Sequence, residues 1–104
     1  MISDKTIREV VKQIVEACRP KSVILFGSYA RGRPCKGSDL DIFIVANIPG
    51  RPSERFRVIQ RAILEQGFGI DLVVRTPGEV KRALKGRDWF VQDIMKHGKI
   101  LYER

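Results

Sequence analysis

The sequence predicts an α/β (α+β) domain in which a small mixed β-sheet is flanked by helices. Short apolar runs of strand length alternate with segments whose apolar residues recur at helical spacing, in the order α-β-(α)-β-α-β-α-α. The second and third strand-like runs are joined by a helical segment, the crossover type that normally returns the chain parallel. A length of 104 residues supplies one modest core with no room for a second, so 1–104 reads as a single domain.

The first helix carries Ile7, Val10, Val11, Ile14, Val15 and Cys18 on one face; Thr6 with Glu9 fits a capping box, and Pro20 ends it. Residues 22–27 form a short apolar strand, Ser28 to Arg31 a stub of helix, and Gly32 to Gly37 a turn-rich loop. The second strand covers 39–46. Pro49 to Ser53 is punctuation before a helix over roughly 53–66, with Phe56, Ile59 and Ile63 inward and Gly67 as its C-terminal cap. Ile70 to Val74 is the third strand. Thr76-Pro77-Gly78-Glu79 is a capping box with proline at the first helical position, opening a helix that stops near Gly86. Asp88 caps a last helix to about 97 that buries Phe90, Val91, Ile94 and Met95, and Lys99 to Tyr102 adds a terminal edge strand.

No run of about 18 apolar residues and no basic-then-apolar leader occurs, which predicts a soluble, cytoplasmic protein without membrane contact. Cys18 and Cys35 are expected to stay reduced there, and with His97 they make no zinc site. The net charge is +8. A field of that sign attracts nucleotides, nucleic acid or an acidic protein, or it does no more than keep the surface solvated.

The chemistry concentrates in two places. Gly27-Ser28 ends the first strand, and Asp39-Leu40-Asp41 opens the second. Carboxylates one residue apart on a strand share a face. A Gly-Ser turn offers bare backbone N–H groups to a phosphate. Asp71 opens the third strand, so parallel pairing brings all three acids to one sheet end, whereas antiparallel pairing separates them by on the order of 20 Å. An antiparallel first pair brings the Gly-Ser turn to that same edge. Three carboxylates about 5 Å apart repel by roughly 3 kcal/mol per pair at an effective dielectric of 20. Such a cluster needs raised pKa values or cations, and open oxygen ligation suits Mg²⁺ shared with substrate phosphates. Two such ions would align an attacking oxygen and stabilise a leaving pyrophosphate.

Gly27-Ser28-Tyr29-Ala30-Arg31-Gly32, Ser38-Asp39-Leu40-Asp41 and Ile70-Asp71-Leu72-Val73 resemble the signature of the minimal nucleotidyltransferases of the DNA polymerase β superfamily, over nearly the whole chain. The resemblance implies a polymerase β-like core and Mg²⁺-dependent nucleotidyl transfer from ATP. It implies that Asp39 and Asp41 hold both metal ions, and that Asp71 holds one and helps deprotonate the acceptor hydroxyl. Ser28 and the amides after Gly27 would cradle the distal phosphates. Arg31 would contact phosphate or pair with a carboxylate, and Ser38 would orient Asp39 or cap a turn. Tyr29 is left without a role. The resemblance further implies a HEPN-domain toxin as partner, its RNase silenced by AMP placed on a tyrosine, this chain being the antitoxin. Transfer to RNA or a small molecule, and a non-catalytic nucleotide-binding subunit that masks the toxin, are the alternatives.

Three features are read more plainly. His97 near the end of the last helix suits the helix dipole rather than catalysis. Trp89-Phe90 is either core or a partner anchor. Arg51, Arg55, Arg57 and Arg61 make a basic helix surface, solvated by default.

Overall fold

Ser3, and not Thr6, starts the first helix. In the computed structural model, which describes residues 2–34, 37–63 and 68–104, α1 spans Asp4–Cys18. The Ser3 hydroxyl accepts from the Thr6 N–H at 3.2 Å. Ser3 is the better cap because it places Asp4 in the first turn, against the positive end of the helix dipole. Arg19, at φ +46°, closes the helix by donating its N–H to the Val15 carbonyl, and Pro20 is buried behind it.

The strands are β1 (Ser22–Phe26), β2 (Leu40–Val45), β3 (Ile70–Arg75) and β4 (Lys99–Glu103), and the later helices are α2 (Pro52–Ala62), α3 (Pro77–Lys85) and α4 (Trp89–His97). They form one sheet in the order β3-β2-β1-β4. β2 and β3 run parallel, joined through α2 as the crossover requires, and β1 is antiparallel to both of its neighbours. The mixed α/β architecture expected from the pattern is therefore present.

Alternation along the strands sorts the core into two layers. Val23, Leu25, Leu40, Ile42, Ile44, Leu72 and Val74 pack with Ile7, Val10 and Ile14 of α1 and Ile59 of α2. On the other face Ile24, Phe43 and Val45 meet Val80 of α3 and Val91 and Ile94 of α4. Covered on both sides, β2 reads as an almost continuous apolar run from Leu40 to Val45. Asp41 interrupts that run on the α3/α4 face, where period two puts it in line with Phe43.

Several boundaries and environments differ from the sequence reading. Ser28 to Arg31 is a hydrogen-bonded turn rather than a helix, with Arg31 N–H donating to the Gly27 carbonyl at 3.1 Å and Arg33 N–H to Ser28 at 3.0 Å. α2 closes at Ile63, whose N–H donates to Ile59; Gly67, expected as its cap, lies outside the described residues. Cys35 lies outside them too. Cys18 is a free thiol that donates to the Ile14 carbonyl, and burial pushes its pKa up.

Arg55 does not belong to a solvated basic face. It is buried and ion-paired with Glu79, because α2 lies close enough to the start of α3 for the guanidinium to reach it. In α4, Val91 and Ile94 are buried as expected, but Phe90 and Met95 are more than a third exposed and Trp89 is 73% exposed. A helix of nine residues on the flank of the sheet has only a narrow buried stripe. Among the described residues no helix is long and apolar enough to cross a membrane.

Candidate active site

Strand register brings the acids together. Asp41 of β2 lies directly opposite Asp71 of β3 on one side and opposite Phe26, the last residue of β1, on the other. Neighbouring strands lie about 4.8 Å apart. Asp71, Asp41 and Phe26 therefore form a row across the sheet on the face that carries α3 and α4. Asp39 enters the same end from the residues just before β2. Asp39 and Asp71 are exposed, while Asp41 is half-buried.

Two glycines shape the space around these side chains. Gly27 has φ +76°, a conformation that favours glycine, and a Cβ there would collide with the Asp41 carboxylate. A Cβ on Gly69 would likewise occupy the place of the Asp39 carboxylate. The Gly69 carbonyl also accepts from the Leu40 N–H at 2.9 Å, extending the parallel ladder beyond the strand ends. The Asp41 and Asp39 carboxylates thus each lie against a bare glycine. Gly69 was not read as a site residue from the sequence. The signal was its position two residues before Asp71, matching that of Asp39 before Asp41.

The electrostatics follow from the crowding. Asp41 holds its proton more tightly than an ordinary aspartate, first because burial penalises its charge, then because Asp71 and Asp39 repel it. None of the three carboxylates has an ion-pair partner among the described residues. As they stand, no group of three or more His, Cys, Asp or Glu side chains among the described residues is gathered tightly enough to enclose a metal ion. The acids are within electrostatic reach of one another without closing on a common point.

The Gly27–Gly32 turn stands at the Phe26 end of the row. The N–H groups of Ser28, Tyr29 and Ala30 find no acceptor among the described residues, so three donors are open at the turn. Ser28 is half-buried there. Arg31 is exposed and makes no ion pair with a described carboxylate, so the pairing alternative is not the one observed. Ser38 is half-buried beside Asp39. Tyr29 packs against the α1 side of the core, its hydroxyl accepting from the Ile2 N–H at 3.1 Å, which explains why that residue offers no chemistry. His97 stands closer to this region than its place in the sequence implied. It lines a cleft shared with Gly27 and Arg31.

Carboxylates that repel one another thus stand beside open amides at one end of the sheet. The nucleotidyltransferase domain family matches residues 4–102. The chain belongs to that family.

A candidate protein adenylyltransferase of Methanocaldococcus jannaschii is 30% identical over 114 aligned positions, which take in 99% of this chain and 76% of that one. Among solved structures, a candidate nucleotidyltransferase from Sulfolobus solfataricus matches with a TM-score of 0.67 and 24% identity, covering 96% of this chain and 79% of that one. A toxin–antitoxin crystallised with AMP-PNP matches with a TM-score of 0.66 and 22% identity, over 93% of this nucleotidyltransferase and 73% of that chain. At these identities the structural matches establish the shared fold, a four-stranded mixed sheet with helices on both faces.

Proposed function

We propose that this nucleotidyltransferase is a single minimal domain, residues 1–104, that transfers AMP from ATP to a hydroxyl of a partner protein in the cytoplasm. The acceptor is a tyrosine of a HEPN-domain RNase toxin, and the chain is its antitoxin. The observation that carries the reading is the register of Asp41 against Asp71, with Gly27 and its open turn at the adjoining strand end.

The residues fit Mg²⁺. Every donor is a carboxylate oxygen, Gly27 and Gly69 give the Asp41 and Asp39 carboxylates their places, and the pKa of Asp41 is raised first by burial and then by the charges of Asp71 and Asp39, which a cation would offset. Asp39 and Asp41 would hold both ions and Asp71 one. When bound, Mg²⁺ would neutralise charge developing on the phosphates.

The protein's own share of the reaction is positioning and proton handling. Asp71, at the β3 edge and exposed, accepts the proton of the incoming hydroxyl. The acceptor oxygen forms its bond to the α-phosphorus as the bond from that phosphorus to the pyrophosphate oxygen breaks. Ser28 and the amides after Gly27 hold the departing pyrophosphate, and Arg31 meets its oxygens as a planar fork. Ser38 orients Asp39.

A protein acceptor is supported by the adenylyltransferase relative, and a toxin partner by the toxin–antitoxin neighbour. The net charge of +8 keeps RNA as a second acceptor class. Purified chain incubated with ATP, Mg²⁺ and its co-expressed partner should add the mass of an adenylyl group to a partner tyrosine. Asp39→Asn with Asp41→Asn should lower the rate by about a thousandfold or more, the scale of several kcal/mol of lost charge stabilisation. Label on RNA and none on protein would transfer the reading to the second acceptor. Full protection of cells by the double variant would replace catalysis with masking.

A further inference from the structure

The strand ends opposite the acids are basic. Asp71 and Arg75 share a face of β3 at its two ends, about 13 Å apart at about 3.3 Å per residue. Beyond Arg75 the chain turns into α3, and a second cleft of about 370 Å³ opens between β3, α3 and the start of α4. Arg75, Arg82 and Arg87 line it, together with Glu79, Asp88 and Val91. Both carboxylates are already engaged: Glu79 pairs with Arg55, and Asp88 accepts from the Val91 N–H at 3.2 Å. The three guanidiniums have no ion-pair partner among the described residues. Their supports are fixed. Arg75 is half-buried and donates to the Val74 carbonyl at 3.0 Å. The Gln92 amide donates to the carbonyls of Ala83 at 3.2 Å and Gly86 at 2.9 Å, pinning the α3–α4 corner that carries Arg82 and Arg87.

Positive charge continues past the cleft on one side. The Ala46 N–H donates to the Arg75 carbonyl, Lys21 to Val45 and Arg104 to Lys21, which ties the four strand ends into a row. Lys21 and Arg104, both exposed, extend the basic rim over three strand spacings, on the order of 14 Å, with Glu103 as an acid beside Arg104. On the other side, two residues after Arg87, Trp89 stands 73% exposed at the start of α4.

We infer that this end of the molecule holds a single-stranded nucleic acid, with its phosphates on Arg75, Arg82 and Arg87 and a base against Trp89. Guanidinium forks match phosphate oxygens two at a time. The cleft alone would satisfy one anion, whereas the rim beyond it suits a chain of them. A basic track beside an exposed aromatic is how single strands are bound without sequence readout, since every base has a face to stack. An acidic peptide would use the arginines but leave Trp89 without a planar partner. The cleft is separate from the acid row, so a strand docked here is not thereby the acceptor, and the inference stands independently of the nucleotidyl-transfer reading.

The test titrates the intact chain, in EDTA and without ATP, with oligouridylate and oligothymidylate of about twelve nucleotides, a length within the usual span of such sites. Polyglutamate of similar length is the control. Trp89 is the single tryptophan, so its quenching reports stacking, while anisotropy of an end-labelled oligonucleotide reports binding by the variants. Both oligonucleotides should quench Trp89, and log K should fall against log salt by about 0.7 for each phosphate contacted. The tighter of the two identifies RNA or DNA as the source. Polyglutamate should bind at least about tenfold more weakly and without quenching. Arg82→Gln with Arg87→Gln should weaken oligonucleotide binding about tenfold and flatten the salt slope by about 1.4, while leaving the affinity for ATP in Mg²⁺ unchanged. Trp89→Ala should weaken it about tenfold at an unchanged slope. Absence of oligonucleotide binding, a salt slope that the arginine pair leaves unaltered, or polyglutamate binding as tight as either oligonucleotide would overturn the proposal. So would an ATP affinity that falls in step with oligonucleotide affinity. The comparison of oligonucleotide with polyglutamate on the wild-type chain decides the matter even if a variant fails to fold.

Discussion

A side chain at position 69 would stand where the Asp39 carboxylate now lies. Gly69→Ala should therefore displace that carboxylate while leaving the sheet intact, and a misplacement of about 1 Å is enough to cost on the order of a hundredfold in rate. Steady-state transfer assays beside a melting curve would check this: activity should fall with little change in Tm. Asp41 makes the complementary case. Its folded-state pKa is raised, so its ionisation opposes folding, an effect absent below the unfolded value of about 3.9 and growing as pH rises through the folded one. Asp41→Asn should accordingly raise the Tm of the ligand-free protein at pH 7 while removing activity; a lowered Tm would contradict the assigned repulsion. At this scale the gathering of the acids at one sheet end was legible, because Asp41 and Asp71 need only the parallel pairing of β2 with β3, and Asp39 lies just before β2. Gly69 was not read, since its spacing before Asp71 shows only where it lies, and its collision with the Asp39 carboxylate is a tertiary fact.

The helix starts are where element-scale reading succeeded and failed for physical reasons. Thr76-Pro77-Gly78-Glu79 was read correctly because both halves of the box are local: Glu79 N–H donates to the Thr76 hydroxyl at 3.2 Å, and Thr76 N–H to the Glu79 carboxylate at 2.8 Å. Thr6 and Glu9 match the same pattern, but Ser3 lies one turn earlier and took the cap. Arg55 was misplaced on the surface because its partner is 24 residues away in sequence. Glu79 serves both elements. Its pKa is lowered chiefly by the Thr76 backbone N–H, with the Arg55 guanidinium adding to it. Stability from Glu79 is thus complete above the unfolded carboxylate pKa and is lost as pH falls through the lower folded one. Glu79→Ala should cost about 3 kcal/mol, the low end for stranding a buried charge since Glu79 is itself 28% exposed. Thr76→Ala should cost about 1 kcal/mol as a lost cap. Urea unfolding at pH 7 would check both, and Glu79→Gln should flatten the acid limb of the stability curve.

Across the whole molecule, the sheet order turns scattered residues into a site. The parallel β2–β3 pair was expected from the crossover, and it sets Asp41 against Asp71. The central place of β1 was not expected, because nothing local says that the last strand returns to pair with the first. That return has consequences: β4 flanks β1, α4 is carried with it, and the cleft beside Gly27 acquires its aromatic wall. The remaining surface is strongly basic at a net +8, while the acids stand together at one end of the sheet. The central claim, that these carboxylates and the glycine turn together grip a cation-bound triphosphate, is tested most directly by calorimetric titration of ATP with Mg²⁺ and then with EDTA, on wild type and on Asp39→Asn/Asp41→Asn. The account predicts saturable binding to wild type that requires Mg²⁺ and is lost in the double variant. Equal affinity in EDTA, or an unchanged isotherm for the double variant in Mg²⁺, would contradict it.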